Sequence, residues 1–352
     1  MIKVGAEREI KFDEKLRYDR QKDYDITNYE SIPYEFQSGK RNVYKNFNFS
    51  IFIDDYCNAD CKFCVAQLRY EHKGKMYCKK HIENTDEYLK RLEKVLDIVR
   101  PLNPSVSITG GEPTLSPILT DVLKMIDDRN FRKRTITSNG SGLFNIQDGD
   151  MVINNLIKYN FNHLNISRTH YDDTKNRQIM RFATEKEYCT MDMMKEIFRI
   201  TNESNLHHRL SCLLLKEGIN SVSEMEKYIQ FYQDLGCNNF IFRELMDYDK
   251  TAVNIEKMNY CTANKIKLND IWEDFSKFPA FERYLNILGY YYYVEIYKYK
   301  GATVASESAD LNQCYKQRRE TPNMVYEMVF HNNGNLCGSW IDSEDILDKY
   351  ES

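Results

Sequence analysis

The chain has 352 residues, 42% hydrophobic and 29% charged, with 14 glycines and 7 prolines, which supplies a full core and excludes disordered, collagenous and small disulfide-scaffold classes. Its 49 basic and 53 acidic residues leave a net charge of −4, so the overall charge makes no case for a nucleic-acid or anionic-membrane partner. No run approaches the roughly 18 apolar residues that span a bilayer, and the start MIKVGAEREIKFDEK lacks an apolar signal core, so a cytoplasmic location is expected.

Residues 1–46 are polar and Tyr-rich without sustained periodicity and read as an N-terminal extension lying on another surface. From residue 47 to 248 strand-like and helix-like segments alternate. Strands are expected at 49–54, 105–109, 134–138, 163–167, 210–215 and 240–244. The intervening helices carry start signals at Thr85, Ser116-Pro117, Thr190 and the capping box Ser221 to Glu224, with a stop at Gly236. Six short, nearly continuous apolar strands separated by helices predict an α/β fold with a parallel sheet, either open or closed into a full or partial barrel. Residues 249–352 form a separate region: a helical stretch at about 262–288, strand-like YYYYVEIYKYKGATV at 290–304, and a terminal hairpin turning at Asn333-Gly334.

Two constellations carry chemistry. Cys57, Cys61 and Cys64 stand at intervals of four and three directly after the first strand, and thiolates at that density hold zinc or an iron-sulfur cluster. Zinc completed by Cys78, His72 or His81, and three inert core cysteines, are the alternatives. The second constellation is Thr109-Gly110-Gly111-Glu112-Pro113 at the C-terminal end of the second strand, the end of an α/β sheet where ligands bind. By itself Gly-Gly before a helix is often only a tight turn.

Together these motifs resemble the radical S-adenosylmethionine (radical SAM) superfamily, whose signature is CxxxCxxC with an aromatic, here Phe63, before the third cysteine, followed by GGEP on the next strand. The resemblance implies a partial (β/α)6 barrel over 47–248 with a single [4Fe-4S] cluster on Cys57, Cys61 and Cys64. S-adenosylmethionine would chelate the remaining iron, its amine received by Gly110, Gly111 and Glu112, with Ser138, Asn139, Ser167 and Arg168 contacting ribose and carboxylate. It further implies reductive cleavage to a 5′-deoxyadenosyl radical, hydrogen abstraction from a small-molecule or peptide substrate, and an electron donor such as flavodoxin or ferredoxin.

Substrate contacts are expected from the loop 168–189, with His170, Arg177 and Arg181, and from Arg243-Glu244 at the end of the sixth strand. The tail holds only Cys314 and Cys337 and resembles a cluster-free remnant of a twitch/SPASM-type module, expected to cover the C-terminal ends of the strands. Cys212, Cys314 and Cys337 are candidate hydrogen donors. A ribosomal peptide maturase is an alternative substrate reading, and a zinc or iron-sulfur redox sensor is the alternative from a different class.

Overall fold

A computed structural model describes residues 3–4, 7–17, 30–65, 82–182, 184, 188–246, 254–289, 291–309 and 311–351. Cys78, His72 and His81 lie outside these residues. Six strands, β1 (Asn48–Phe52), β2 (Ser105–Thr109), β3 (Lys133–Ser138), β4 (His163–Ser167), β5 (His207–Leu213) and β6 (Asn239–Arg243), lie side by side in chain order. Each pairs in parallel with the next. Helices α1 (Thr85–Val99), α2 (Leu119–Asp128), α3 (Val152–Lys158), α4 (Asp173–Met180), α5 (Met191–Asn202) and α6 (Val222–Gln233) fill the crossovers that parallel pairing requires. Their ends are set by local chemistry: the side chains of Asn84, Asp172, Thr190 and Ser221 accept from Glu87, Lys175, Met193 and Glu224 backbone N–H groups. Asn84, not Thr85, is thus the first cap.

The strands are not uniformly apolar. In β2, β4 and β5, residues alternate between fully buried and half-buried, with Val106, Ile108, Leu164, Ile166, Leu210 and Cys212 on the buried face. One face is covered by helices; the other lines an interior that stays partly open. Among the described residues no pairing joins the two ends of the sheet, so the barrel is partial.

The C-terminal region extends this sheet at both edges, and its Trp340 packs on Phe52 at the C-terminal end of β1. After α7 (Ile255–Asn264) and α8 (Leu268–Asp274) come β7 (Phe281–Leu288), β8 (Tyr292–Tyr299) and β9 (Ala302–Ala309). β9 pairs in parallel with β6 and antiparallel with β8, which pairs with β7, so residues 281–288, read as helix, are a strand. The β8–β9 turn uses positive φ at Lys300 (44°) and Gly301 (87°), which matches the twist of a tight hairpin. At the other edge β10 (Met328–Phe330) pairs in parallel with β1 and turns at Asn333-Gly334 into β11 (Leu336–Cys337) and β12 (Ile346–Asp348).

The N-terminal segment is more structured than its sequence suggests. Ser31–Phe36 and Gly39–Tyr44 form an antiparallel hairpin that buries Phe36, Val43 and Tyr44 and pairs with Met324–Val325. Glu7–Lys11 pairs with β7. Arg17 anchors the same segment by a two-pronged contact to the fully buried Glu295, at 2.5 and 2.8 Å. No helix among the described residues is long and apolar enough to cross a membrane.

Candidate active site

The cysteine motif leaves the C-terminal end of β1, and the Gly-Gly-Glu strap leaves the neighbouring end of β2. The two are zipped by backbone: Gly111 N–H donates to Asp54 O and Glu112 N–H to Tyr56 O, both at 2.8 Å. This approach explains the glycines. A Cβ on Gly110, at φ +148°, would lie 2.4 Å from Asp54 O, and one on Gly111 would lie 1.8 Å from Tyr56 O.

Glu112 is 2% exposed. Its Oε1 accepts from the Thr114 hydroxyl (2.5 Å), the Thr114 N–H (3.1 Å) and the Ser138 hydroxyl (2.5 Å), and Oε2 accepts from the Asn139 N–H (2.6 Å). Burial raises the carboxyl above its ordinary range, opposed by these hydrogen bonds. Asn139 in turn donates from its amide to Asn58 inside the cysteine motif at 2.9 Å. The ends of β2 and β3 and the cysteine loop are therefore one polar network.

These groups open onto a cavity of about 320 Å³ lined by Cys57, Cys61, Phe63, Cys64, Gly110, Gly111, Glu112, Ser138, Asn139, Ser167 and Arg243. Thr109, Thr137, Thr169 and Ser211 add hydroxyls from neighbouring strand ends, and Met180, Leu213, Leu245 and Met246 make the far side apolar. The three cysteines are half-buried. Burial, with Glu112 and Cys64 nearby, pushes the Cys57 thiol up to about 12, and burial with Cys64 and Cys57 pushes Cys61 well above its usual value. Thiols crowded like this ionise only when a metal compensates the charge, which suits a soft-metal or cluster donor set.

Four expected residues are placed otherwise. Arg168 is 1% exposed and turned from the cavity: it continues the buried face of Leu164 and Ile166, because successive side chains of an extended strand alternate. There it donates to Tyr232 Oη (3.0 Å), Cys189 O (2.8 Å) and the Asp173 carboxylate. The segment 168–189 is not a long loop, since it contains α4. His170 is buried at 1% exposure, Arg177 stacks on Tyr188 at 5.0 Å, and Arg181 pairs with Asp60. None of these lines the cavity.

Arg243 does reach it, 3.0 Å from Glu307 of β9. Glu244 sits beside them and accepts from the Ser308 hydroxyl at 2.6 Å. Glu244 was expected with Arg243 at the end of the sixth strand; Glu307 was not foreseen, because β9 comes from the tail and only its pairing with β6 brings it here. Thr169 and Ser211 were readable, because each is two residues along from, or level with, Ser167 on paired strands.

Residues 51–210 match the family model of the radical SAM superfamily. These residues carry a radical SAM domain. It is 31% identical over 97 residues to a 7,8-dihydro-6-hydroxymethylpterin dimethyltransferase of Methanocaldococcus jannaschii, covering 28% of this chain and 18% of that one. It is 25% identical over 175 residues to a protein of the same organism described as a glycyl-radical enzyme activating enzyme, covering 50% of this chain and 59% of the other. The chain therefore spans less than two thirds of either relative. Among solved structures it is similar to SuiB of Streptococcus suis bound to S-adenosylmethionine, with a TM-score of 0.49, 16% identity, and coverage of 84% of this chain and 58% of that chain.

Proposed function

We propose that this chain is a radical SAM enzyme that binds one [4Fe-4S] cluster through Cys57, Cys61 and Cys64 and S-adenosylmethionine beside it, and abstracts hydrogen from a small-molecule or peptide substrate. When bound, the reduced cluster supplies one-electron cleavage of S-adenosylmethionine to methionine and a 5′-deoxyadenosyl radical. The supporting observation is one cavity whose wall joins the three cysteines to Gly110, Gly111, Glu112, Ser138 and Asn139 at the C-terminal ends of parallel strands.

In this reading the strap Gly110 to Glu112 receives the cofactor's amine, using backbone groups and the open side of the Glu112 carboxylate. Ser138, Asn139 and Ser167 receive ribose and carboxylate groups from the strand ends. Arg168 does not touch the cofactor; its contacts to Tyr232, Cys189 and Asp173 hold the Ser167 to Thr169 turn in place. The apolar side with Leu213, Leu245 and Met246 excludes water from the reacting carbon, and Arg243, Glu244 and Glu307 face the substrate. A low-potential donor such as flavodoxin or ferredoxin supplies the electron.

The test is anaerobic reconstitution. About four irons per chain, a chromophore that bleaches with dithionite, and 5′-deoxyadenosine released from S-adenosylmethionine are expected. Cys61→Ala should lose all three, whereas Cys261→Ala, a buried thiol packed in the core, should keep them. Zinc in place of iron, or full iron in Cys61→Ala, would overturn the proposal and favour the sensor reading.

A further inference from the structure

The cysteine loop is gripped by cations from outside its own motif. Lys257, on α7 and beyond the residues that match the family, is 3% exposed. Its ammonium donates to Asp60 Oδ1 at 2.9 Å and to the backbone carbonyl of Cys61. Arg181, at the end of α4 with φ 48°, donates from Nε to Asp60 O at 2.8 Å and lies 3.0 Å from Asp60 Oδ2. Its other arm pairs with Glu256 at 3.0 Å. Backbone bonds from Asp60 N–H to Arg181 O (2.9 Å) and Lys62 N–H to Ile179 O (3.1 Å) complete the attachment.

Packing alone does not call for an ammonium here. A buried ion pair gains little stability over a well-packed apolar residue of similar volume, because desolvation offsets the attraction. Lys257 instead places a full positive charge on the carbonyl of a proposed cluster ligand. We infer that Lys257 is a positioning residue that holds the cysteine loop and, through its charge, raises the reduction potential of the cluster bound there. The inference rests on the proposed cluster site.

The local charges make the sign definite. Asp60 and Glu256 contribute two negative charges, Arg181 and Lys257 two positive ones. The one-electron step is [4Fe-4S]2+ plus an electron from a low-potential donor giving [4Fe-4S]+, with no bond or proton exchanged. Reduction adds negative charge to a site that already carries three thiolates. Removing Lys257 leaves a net negative surround and opposes the step; removing the Asp60 charge favours it. Burial of Lys257 limits the screening of its charge by solvent and salt, whereas Asp60, Arg181 and Glu256 are more exposed and act more weakly.

The experiment is a mediated redox titration of the reconstituted protein, followed by electron paramagnetic resonance, beside iron content and thermal denaturation. With Lys257→Met the reduced-to-oxidised ratio at a fixed poise should fall at least tenfold, a displacement of about 59 mV to more negative potential. Asp60→Asn should shift the midpoint the opposite way, and Lys257→Arg should stay near the wild type. An unchanged midpoint in Lys257→Met, or shifts of the same sign in Lys257→Met and Asp60→Asn, would overturn the inference, since loosening the loop has no reason to distinguish the signs of the deleted charges. If Lys257→Met holds no iron, Asp60→Asn decides: a rise upholds the inference and no rise overturns it. Wild-type protein without iron would instead overturn the proposed function.

Discussion

Glu112→Gln tests the site most directly, because the carboxylate has two separable duties. Its two oxygens accept four internal hydrogen bonds, two of them from the backbone N–H groups of Thr114 and Asn139. A glutamine keeps the volume but turns one oxygen into a donor. The hydroxyls of Thr114 and Ser138 can rotate to accept; a backbone N–H cannot. With the amide nitrogen in the Oε1 place it faces the Thr114 N–H, and in the Oε2 place the Asn139 N–H. Either orientation leaves one buried backbone donor opposed, while relieving the desolvation that raises the carboxyl. The net loss is about 2 kcal/mol of stability in metal-free protein, a fall of a few degrees in Tm by differential scanning calorimetry. S-adenosylmethionine affinity in reconstituted protein should also fall roughly ten- to hundredfold, as for one lost charge-assisted hydrogen bond, with iron content retained. An unchanged Tm refutes the anchoring geometry; an unchanged affinity by titration calorimetry refutes the proposed amine contact.

Gly111→Ala would set a Cβ 1.8 Å from Tyr56 O and 3.0 Å from Cys57 N; both are backbone atoms, so the cysteine loop must move and reconstituted iron should drop sharply, against which full iron would count. His208, buried with Nδ1 2.7 Å from the Thr201 hydroxyl, has its pKa lowered from 6.5 to about 4 by burial. The unfolded chain then takes a proton that the fold refuses, so this contribution is whole above about pH 6.5 and is lost towards about pH 4, up to roughly 3 kcal/mol. His208→Gln should flatten that part of a urea-denaturation pH series, and an unchanged slope would show the acid loss lies elsewhere. Cys314→Ala with Cys337→Ala should leave iron at about four per chain, since two thiolates cannot complete a four-thiolate site; about eight irons in wild type, falling to about four in the double variant, would restore an auxiliary cluster.

What could be read from the sequence was chemistry set by local spacing. Three cysteines in eight residues and Gly-Gly-Glu at a strand end each declare themselves within one turn of chain, and the starts of the six expected strands lie within three residues of those of β1 to β6. What escaped depends on pairing between distant segments. Residues 281–288 looked helical because their partner is the β8 edge, which local pattern does not encode. The 31–44 hairpin alternates, but its alternation gains meaning only against Met324–Val325 and the core. Lys257 and Arg181 reach Asp60 across about 197 and 121 residues of chain, and an exposed-looking charge carries no mark of that reach.

The misplacement of Arg168 shows strand parity at work in part of the cavity wall; at the end of β3 both Thr137 and Ser138 line it, because the extended strand stops there. Arg168 follows Ser167, and adjacent side chains of a strand face opposite sides, so the two could not both contact one ligand while the chain stayed extended. Starting from Ser167, the same parity selects Thr169, and register with β3 and β5 selects Thr137 and Ser211; all line the cavity, together with Thr109. Hydroxyl side chains are small and can donate or accept, so strand ends furnished with them leave room for a polar ligand and satisfy it from beneath. The apolar residues gather on the side of β5 and the stretch after β6, where Leu213, Leu245 and Met246 stand beside Arg243 and Glu307. Under the proposed function this divides the cavity between a polar half that holds the cofactor and a mostly apolar half with the Arg243–Glu307 pair and Glu244, and the boundary between them is where a radical would meet its substrate.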